Sequence, residues 1–258
     1  CCVTQGAQAI RQRMTELKAQ GISIAIVDAL SNEDLLRLGP ALQDLSLVTA
    51  GSGVAMGLPA NWGIQPALES AQLPSAHGLK AIVSGSCSLA TQGQVQHFVQ
   101  AGGHAYQLDP LAWTQSTPAS EIAAHVLSWA TPLLTQGPVL VYSTADAEQV
   151  KTVQQQFGTQ HVGEQTEQVL AMVAQGLVKL GVGQLVVAGG ETSGACVQAL
   201  EVTQMTIGAQ IDPGVPWCHA PSKFSVLGSI HLTLKSGNFG GTDFFTRAFS
   251  VLETGASV

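Results

Sequence analysis

Short β-rich runs recur along this chain and alternate with stretches whose apolar residues return every three or four positions. Ile22-Ser23-Ile24-Ala25-Ile26-Val27 predicts a strand, as do Leu45 to Thr49, Lys80 to Val83, Val139 to Tyr142 and Leu185 to Val187. Ile230-His231-Leu232-Thr233-Leu234 alternates and predicts another. Helical spacing covers Ala7 to Ala19, Ser31 to Leu42, Leu89 to Val99, Ala195 to Leu200 and Asp243 to Phe249. Val169, Leu170, Val173, Leu177 and Leu180 form the core stripe of a helix that precedes the Leu185 strand. Strands alternating with helices predict an α/β fold, a layered and mostly parallel sheet flanked by helices.

The stretch from Gly57 to Gly78, punctuated by Pro59, Pro66 and Pro74, is the best internal boundary. It suggests one domain over 1–75 and another over 76–258. The proline-rich segment Ile211 to Phe224 predicts a long ordered loop, a kind of segment that often carries function.

Composition narrows the classes. At 258 residues, 45% hydrophobic and only 10% charged, the chain is unusually apolar for an exposed surface. Part of that surface is therefore expected to lie under a further domain or a second copy in a homodimer. A net charge of −7 with no basic cluster argues against nucleic acid. No apolar run reaches membrane-spanning length, so no membrane partner is expected. Cys1, Cys2, Cys87, Cys196 and Cys218 contain no CxxC pair and are odd in number, which favours buried reduced thiols in a cytoplasmic protein. The histidines form no HxxxH or HxH pair, so no metal site of histidine ligands is predicted.

Two glycine-rich turns carry the chemistry. Gly189-Gly190-Glu191-Thr192-Ser193-Gly194 lies between a predicted strand and a predicted helix, as does Lys235-Ser236-Gly237-Asn238-Phe239-Gly240-Gly241. A strand, a glycine turn and a helix N-terminus present free backbone N–H groups to an anion, and glycine permits close approach. Thr192 and Ser193 offer hydroxyls, Lys235 a positive charge, and Gly237 a position where a side chain would collide with a bound nucleotide. The alternative for the first turn is a tight connection capped by Thr192 or Ser193. Glu191 is a candidate for Mg²⁺, for a ribose hydroxyl or for capping. Asn238 and Asp243 are lesser candidates, Asp243 fitting the first turn of the last helix better. Ser84-Gly85-Ser86-Cys87-Ser88 is a third turn of the same kind; no nearby histidine supports Cys87 as a nucleophile. Trp217 is expected to anchor its loop in a core gap rather than stack on adenine. No GxxxxGK[ST] occurs, which excludes a P-loop kinase.

In order along the chain, AIVDALSNEDL (Ala25 to Leu35), LVTAGSGVAMGLP (Leu47 to Pro59), VSGSCS (Val83 to Ser88), VAGGETSGA, IDPGVPW and LKSGNFGG resemble the four-carbon acid sugar kinases. The resemblance implies an α/β nucleotide-binding domain over 76–258, preceded at 1–75 by the C-terminal part of an acid-sugar-binding domain. It implies ATP with Mg²⁺ and a small acid-sugar substrate such as 3-oxo-tetronate, threonate or erythronate, phosphorylated at its terminal hydroxyl. The nucleotide contacts it implies are Ser86 and Ser88, then Gly189, Gly190, Glu191, Thr192 and Ser193, then Lys235 and Gly237. Ser52 and Gly53 fall on the substrate side. The acidic DDFTGA-like opening segment of the family has no counterpart here, so the chain is expected to lack the N-terminal domain that would supply the general base, and no catalytic residue is named. Two other classes stay open: a nucleotide-binding module without turnover, and an oxidoreductase using Gly51 to Gly57, whose glycines approach a dinucleotide fingerprint.

Overall fold

A computed structural model describes residues 2–65, 67, 72–109, 117–143 and 159–254. The chain divides into two compact units, Cys1–Leu68 and Glu69–Val258.

The first unit is helical among its described residues. Helix α1 spans Ala7–Ala19 and α2 spans Asn32–Ala41, with short 3₁₀ helices at Val3–Gln5, Ser52–Gly57 and Pro59–Trp62. Ser31 caps α2 by accepting from the Asp34 N–H at 3.3 Å, and the Asp34 carboxylate accepts from the Leu30 N–H at 3.2 Å. Val3, Ile10, Leu38 and Ala41 form its small core. Gly39 and Gly57 bring backbones together: a Cβ on Gly39 would lie 2.0 Å from the Gly57 oxygen.

Neither Ile22–Val27 nor Leu45–Thr49 forms a strand. A strand exists only where a neighbour completes its hydrogen bonds, and no described residue of this unit pairs with either run. Their apolar side chains stay outside, with Ile24, Ile26 and Leu47 exposed by 84%, 93% and 82%.

The second unit is α/β. Strands β1 (Leu79–Ser84), β2 (His104–Gln107), β3 (Val139–Tyr142), β4 (Val182–Ala188), β5 (Thr206–Asp212), β6 (Val215–Pro221) and β7 (Ser229–Lys235) form one sheet in the order β2-β3-β1-β4-β7-β6-β5. The first five in that order are parallel; β6 pairs antiparallel with both β7 and β5. Alternation distributes the side chains. Ala81, Val83, Leu185 and Val187 face α4 (Ala119–Ala130), α5 (Thr159–Lys179) and α6 (Gly190–Ala199), while Ile82, Val186 and Ala188 face α3 (Leu89–Gln100) and α7 (Phe244–Thr254). The result is three layers with the mostly parallel sheet in the middle.

The segment Ile211 to Phe224 is not a loop but mostly a hairpin, β5–β6, turned at Pro213-Gly214 with Gly214 at φ 78°. Its prolines are tolerated because Pro216 sits at a register irregularity and Pro221 ends the strand. Trp217 is a core anchor, 1% exposed, its indole N–H donating to the Ala248 oxygen at 2.8 Å. Among the four described cysteines Cys196 and Cys218 are buried, but Cys87 is exposed and Cys2 half-buried, so the expectation of buried thiols holds for two. Burial next to Glu167 pushes the Cys196 thiol up to about 12.

Candidate functional site

Parallel strands β1, β4 and β7 lie side by side, and their last residues are in register: Ser84 opposite Ala188, Ala188 opposite Lys235. The three glycine- and serine-rich turns therefore leave one edge of the sheet together. Two backbone bonds stitch them, Gly85 N–H to the Ala188 oxygen at 3.0 Å and Gly189 N–H to the Lys235 oxygen at 2.8 Å. Chain connections run to one side from β1 through β2 and β3 and to the other side from β4, so the strand order reverses between β1 and β4. The crevice outside the carboxyl ends of strands at such a reversal is where open α/β sheets take ligands.

The first turn opens α6. Gly189 has φ 125°, a conformation that favours glycine, and supplies no capping side chain. The first intrahelical bond is from Ser193 N–H to the Gly189 oxygen at 2.9 Å, so the N–H groups of Gly190, Glu191 and Thr192 precede the helical ladder. Thr192 points inward rather than outward: it is 1% exposed and its hydroxyl donates to Glu167 Oε1 at 3.0 Å. Room for that bond depends on two glycines, since a Cβ on Gly85 would lie 2.2 Å from Thr192 Oγ1 and one on Gly189 2.7 Å from it. The other Glu167 oxygen and the Ser193 hydroxyl are buried without a protein partner. Burial, reinforced by the nearby Glu191 charge and opposed by the Thr192 bond, pushes the Glu167 carboxyl up from its ordinary value. Glu191 itself is exposed, as is Gly190.

The second turn is held from below. The Gly237 carbonyl accepts from Ser88 Oγ at 2.5 Å, Thr91 Oγ1 at 2.8 Å and Lys235 Nζ at 3.1 Å. The Gln94 amide nitrogen lies 3.0 Å from each of the Phe239, Gly240 and Gly241 oxygens. Gly237 has no positive φ; what it needs is space, because a Cβ would lie 2.4 Å from Ser86 Oγ and 3.0 Å from Ser88 Oγ. The collision predicted there with a nucleotide is thus first a collision with the protein's own serines. Ser86 and Ser88 hydroxyls are 3.2 Å apart, and Ser88 caps α3 by accepting from the Thr91 N–H at 3.2 Å. Asn238 is exposed, and Asp243 pairs with Arg247 at 3.3 Å.

Ser86, Ser88, Gly189, Thr192, Lys235 and Gly237 are thus brought into one network, with Gly190, Glu191 and Ser193 on the adjoining helical turn. Ser52 and Gly53 lie in the first unit, on the 3₁₀ helix Ser52–Gly57, and Ser52 is exposed. That helix does not follow a strand or lead into an α-helix, so Gly51 to Gly57 lacks the architecture of a dinucleotide turn. Glu167, Thr91 and Gln94 were not anticipated. Their signal was present: Ser88, Thr91 and Gln94 recur at three-residue spacing from the N-cap of α3 onward, and Glu167 lies one helical step before Leu170, at the start of the apolar stripe of α5.

Such an arrangement is chemically able to receive an anion: N–H groups without a side-chain cap at a helix start, hydroxyls and a buried amine meet at the ends of neighbouring strands. Comparison with known proteins defines the class. Residues 81–245 match the nucleotide-binding C-terminal domain family, and residues 2–58 match the sugar-binding N-terminal domain family. Among curated proteins the chain is similar to the 3-oxo-tetronate kinase of Pseudomonas fluorescens, 46% identical over 98% of this chain and 57% of that one. The 3-oxo-tetronate kinase of Burkholderia multivorans is 45% identical over 98% of this chain and 58% of its own length. Solved structures from Salmonella typhimurium LT2 (TM-score 0.74, 33% identity, 96% of this chain and 57% of that one) and Haemophilus influenzae (TM-score 0.68, 35% identity, 97% and 59%) share the fold. The chain belongs to the four-carbon acid sugar kinase family and carries its nucleotide-binding C-terminal domain. It spans a little over half the length of the curated relatives it matches. Among the described residues no helix is long and apolar enough to cross a membrane.

Proposed function

We propose that this chain supplies the ATP site of a kinase that phosphorylates a four-carbon acid sugar, such as 3-oxo-tetronate, at its terminal hydroxyl. The observation that carries the reading is the convergence of three turns at the carboxyl ends of β1, β4 and β7, beside the uncapped N-terminus of α6. The relatives' name, 3-oxo-tetronate kinase, supports the reaction class and substrate.

ATP would lie along that edge with its phosphates on the N–H groups of Gly190, Glu191 and Thr192 and against the Gly237 turn. Ser86 and Ser193 would add hydroxyls, whereas the Thr192 hydroxyl is taken by Glu167 and the Ser88 hydroxyl by the Gly237 carbonyl, so that Thr192 acts through its backbone and Ser88 by holding the second turn. Glu191, exposed on the first turn of α6, would hold a hydrated Mg²⁺, which would neutralise charge on the terminal phosphates. Catalysis is then positioning and charge stabilisation. Residues 76–258 would form the nucleotide-binding domain and 1–75 part of the acid-sugar-binding domain, with Ser52 and Gly53 on the substrate side. The base that deprotonates the sugar hydroxyl is assigned to a further N-terminal domain, not to any residue described here. A cytoplasmic location and a homodimer belong to the same reading.

Calorimetric titration of the chain with ATP and magnesium tests it. Saturable binding of one ATP, with none of NAD, is the expected result. NAD binding without ATP binding would return the function to the oxidoreductase class, and no nucleotide binding at all would remove the site.

A further inference from the structure

Lys235, the last residue of β7, is fully buried yet has no anionic partner among the described residues. Its ammonium donates to Thr91 Oγ1 at 2.9 Å, the Gly237 oxygen at 3.1 Å and the Ser236 oxygen at 3.2 Å, all neutral. Among the described residues, the groups that the surrounding elements bring to this turn are neutral as well. Helix α3 presents Ser88, Thr91 and Gln94, the turn after β1 presents Ser86, β4 ends beside it in Ala188 and Gly189, and α7 contributes the Phe244 ring, 6.0 Å from the amine. Of the described acidic groups on neighbouring elements, Asp243 and Asp212 are engaged by Arg247 at 3.3 Å and 2.6 Å, Glu253 by Lys80, and Glu167, behind the adjoining turn, by the Thr192 hydroxyl at 3.0 Å. A buried charge is ordinarily paired. Here hydrogen bonds are supplied but counter-charge is not.

We infer that the missing counter-charge is the polyphosphate of the nucleotide, and that binding of ATP draws a proton onto Lys235. The inference rests on the proposed ATP site. Burial alone lowers the amine to about 8, with no carboxylate opposing it, so the free protein at mildly alkaline pH holds Lys235 largely as –NH₂. An arriving polyphosphate favours the charged form through low-dielectric attraction, and the amine takes one proton from the buffer to become –NH₃⁺. No other bond changes. Lys235 thereby makes the site demand an anion: it discriminates nucleotide from nucleoside and ties affinity to pH.

Calorimetric titration of the whole chain with ATP and saturating magnesium, at pH 8.5 in two buffers of different ionisation enthalpy, measures the proton directly. At that pH about three-quarters of a group titrating near 8 is unprotonated, so uptake of up to ~0.75 proton is expected. ATP affinity should fall by up to about tenfold per pH unit above 8, the slope that linkage to one proton sets. Adenosine should bind without uptake, and Lys235→Met and Lys235→Gln should each abolish the uptake. Equal heats in the two buffers with ATP bound would overturn the proton coupling and leave the ATP site standing. Absence of ATP binding at every pH from 6.5 to 9, roughly the window around that titration, would overturn the site and the coupling together.

Discussion

The two turns that leave β4 and β7 are neighbours at one sheet edge but are supported by opposite charges. Beneath the Gly189 turn sits a carboxyl, Glu167, which takes the Thr192 hydroxyl inward. Beneath the Gly237 turn sits an ammonium, Lys235, which holds the Gly237 carbonyl together with Thr91 and Ser88. Their glycines differ in the same way. Gly189 is required by its backbone angle, φ 125°, whereas Gly237 is required by crowding from Ser86 and Ser88. The first turn thus offers an anion backbone N–H groups, in front of a carboxyl kept unfavourable to ionise. The second holds a buried amine with no counter-charge among the described residues. A motif search treats the two as equivalents, but the groups behind them assign different work.

The largest effect is expected from Gly237→Val. Its side chain must displace the Ser86 and Ser88 hydroxyls, and the turn they hold moves with them. ATP affinity should drop at least about 100-fold, roughly 3 kcal/mol, in a protein that keeps its far-ultraviolet circular dichroism. Parent-like ATP affinity in a folded Gly237→Val protein would show that the second turn does not touch the nucleotide.

Thr192→Val breaks the first turn instead. It leaves Glu167 Oε1 as well as Oε2 without a partner in a buried site, which should cost about 2–3 kcal/mol of stability in denaturant unfolding. A loss of ATP affinity with unchanged stability would mean that the hydroxyl turns outward to the phosphate.

Lys235→Met sharpens the contrast because stability and binding should move in opposite directions. Removing an uncompensated buried charge should raise the melting temperature of the free protein by about 2–4 °C, while the Gly237 carbonyl keeps two hydroxyl donors. ATP affinity should fall about tenfold. The advantage of the variant has a defined pH window. Lys235 is depressed to about 8 in the fold, so its cost is full below pH 8 and fades as pH rises toward the ordinary lysine value. A stability difference that stays constant from pH 7 to 10 would contradict the assignment.

Glu167→Gln is expected to have the smallest effect. The amide oxygen keeps the Thr192 bond, and the cost of ionising a buried carboxyl disappears, a gain of at most about 1 kcal/mol near neutral pH. Because the folded carboxyl titrates above its unfolded value of 4.5, that gain should vanish as pH falls to that value. A gain that persists at acid pH would place its origin elsewhere.

Much of this architecture was legible in the sequence. Val139 to Tyr142 and Ala7 to Ala19 were bounded to the residue, because the first is a short apolar run between turn residues and the second keeps helical spacing from end to end. The Ile22–Val27 and Leu45–Thr49 runs show the limit. Their composition suits a strand as well as Leu79–Ser84 does, yet pairing is a property of the neighbour, and no described residue supplies one. Ile211 to Phe224 misled because its prolines conceal strands whose irregular register accommodates them. The three turns were visible as glycine and serine clusters, but the reason each glycine is needed was not. Glu167 and Lys235 lie 68 residues apart in numbering, and only the sheet edge shows that they back adjacent turns.

The central claim is that the phosphates lie at the β1–β4–β7 edge, between a carboxyl-backed turn and an ammonium-backed one. A crystal structure of this chain with a non-hydrolysable ATP analogue and magnesium tests it most directly. The account predicts phosphate oxygens within hydrogen-bond distance of the Gly190 to Thr192 N–H groups and against the Gly237 turn, with Lys235 still buried beneath. Phosphates bound at Gly51 to Gly57, or anywhere that leaves both turns empty, would contradict it.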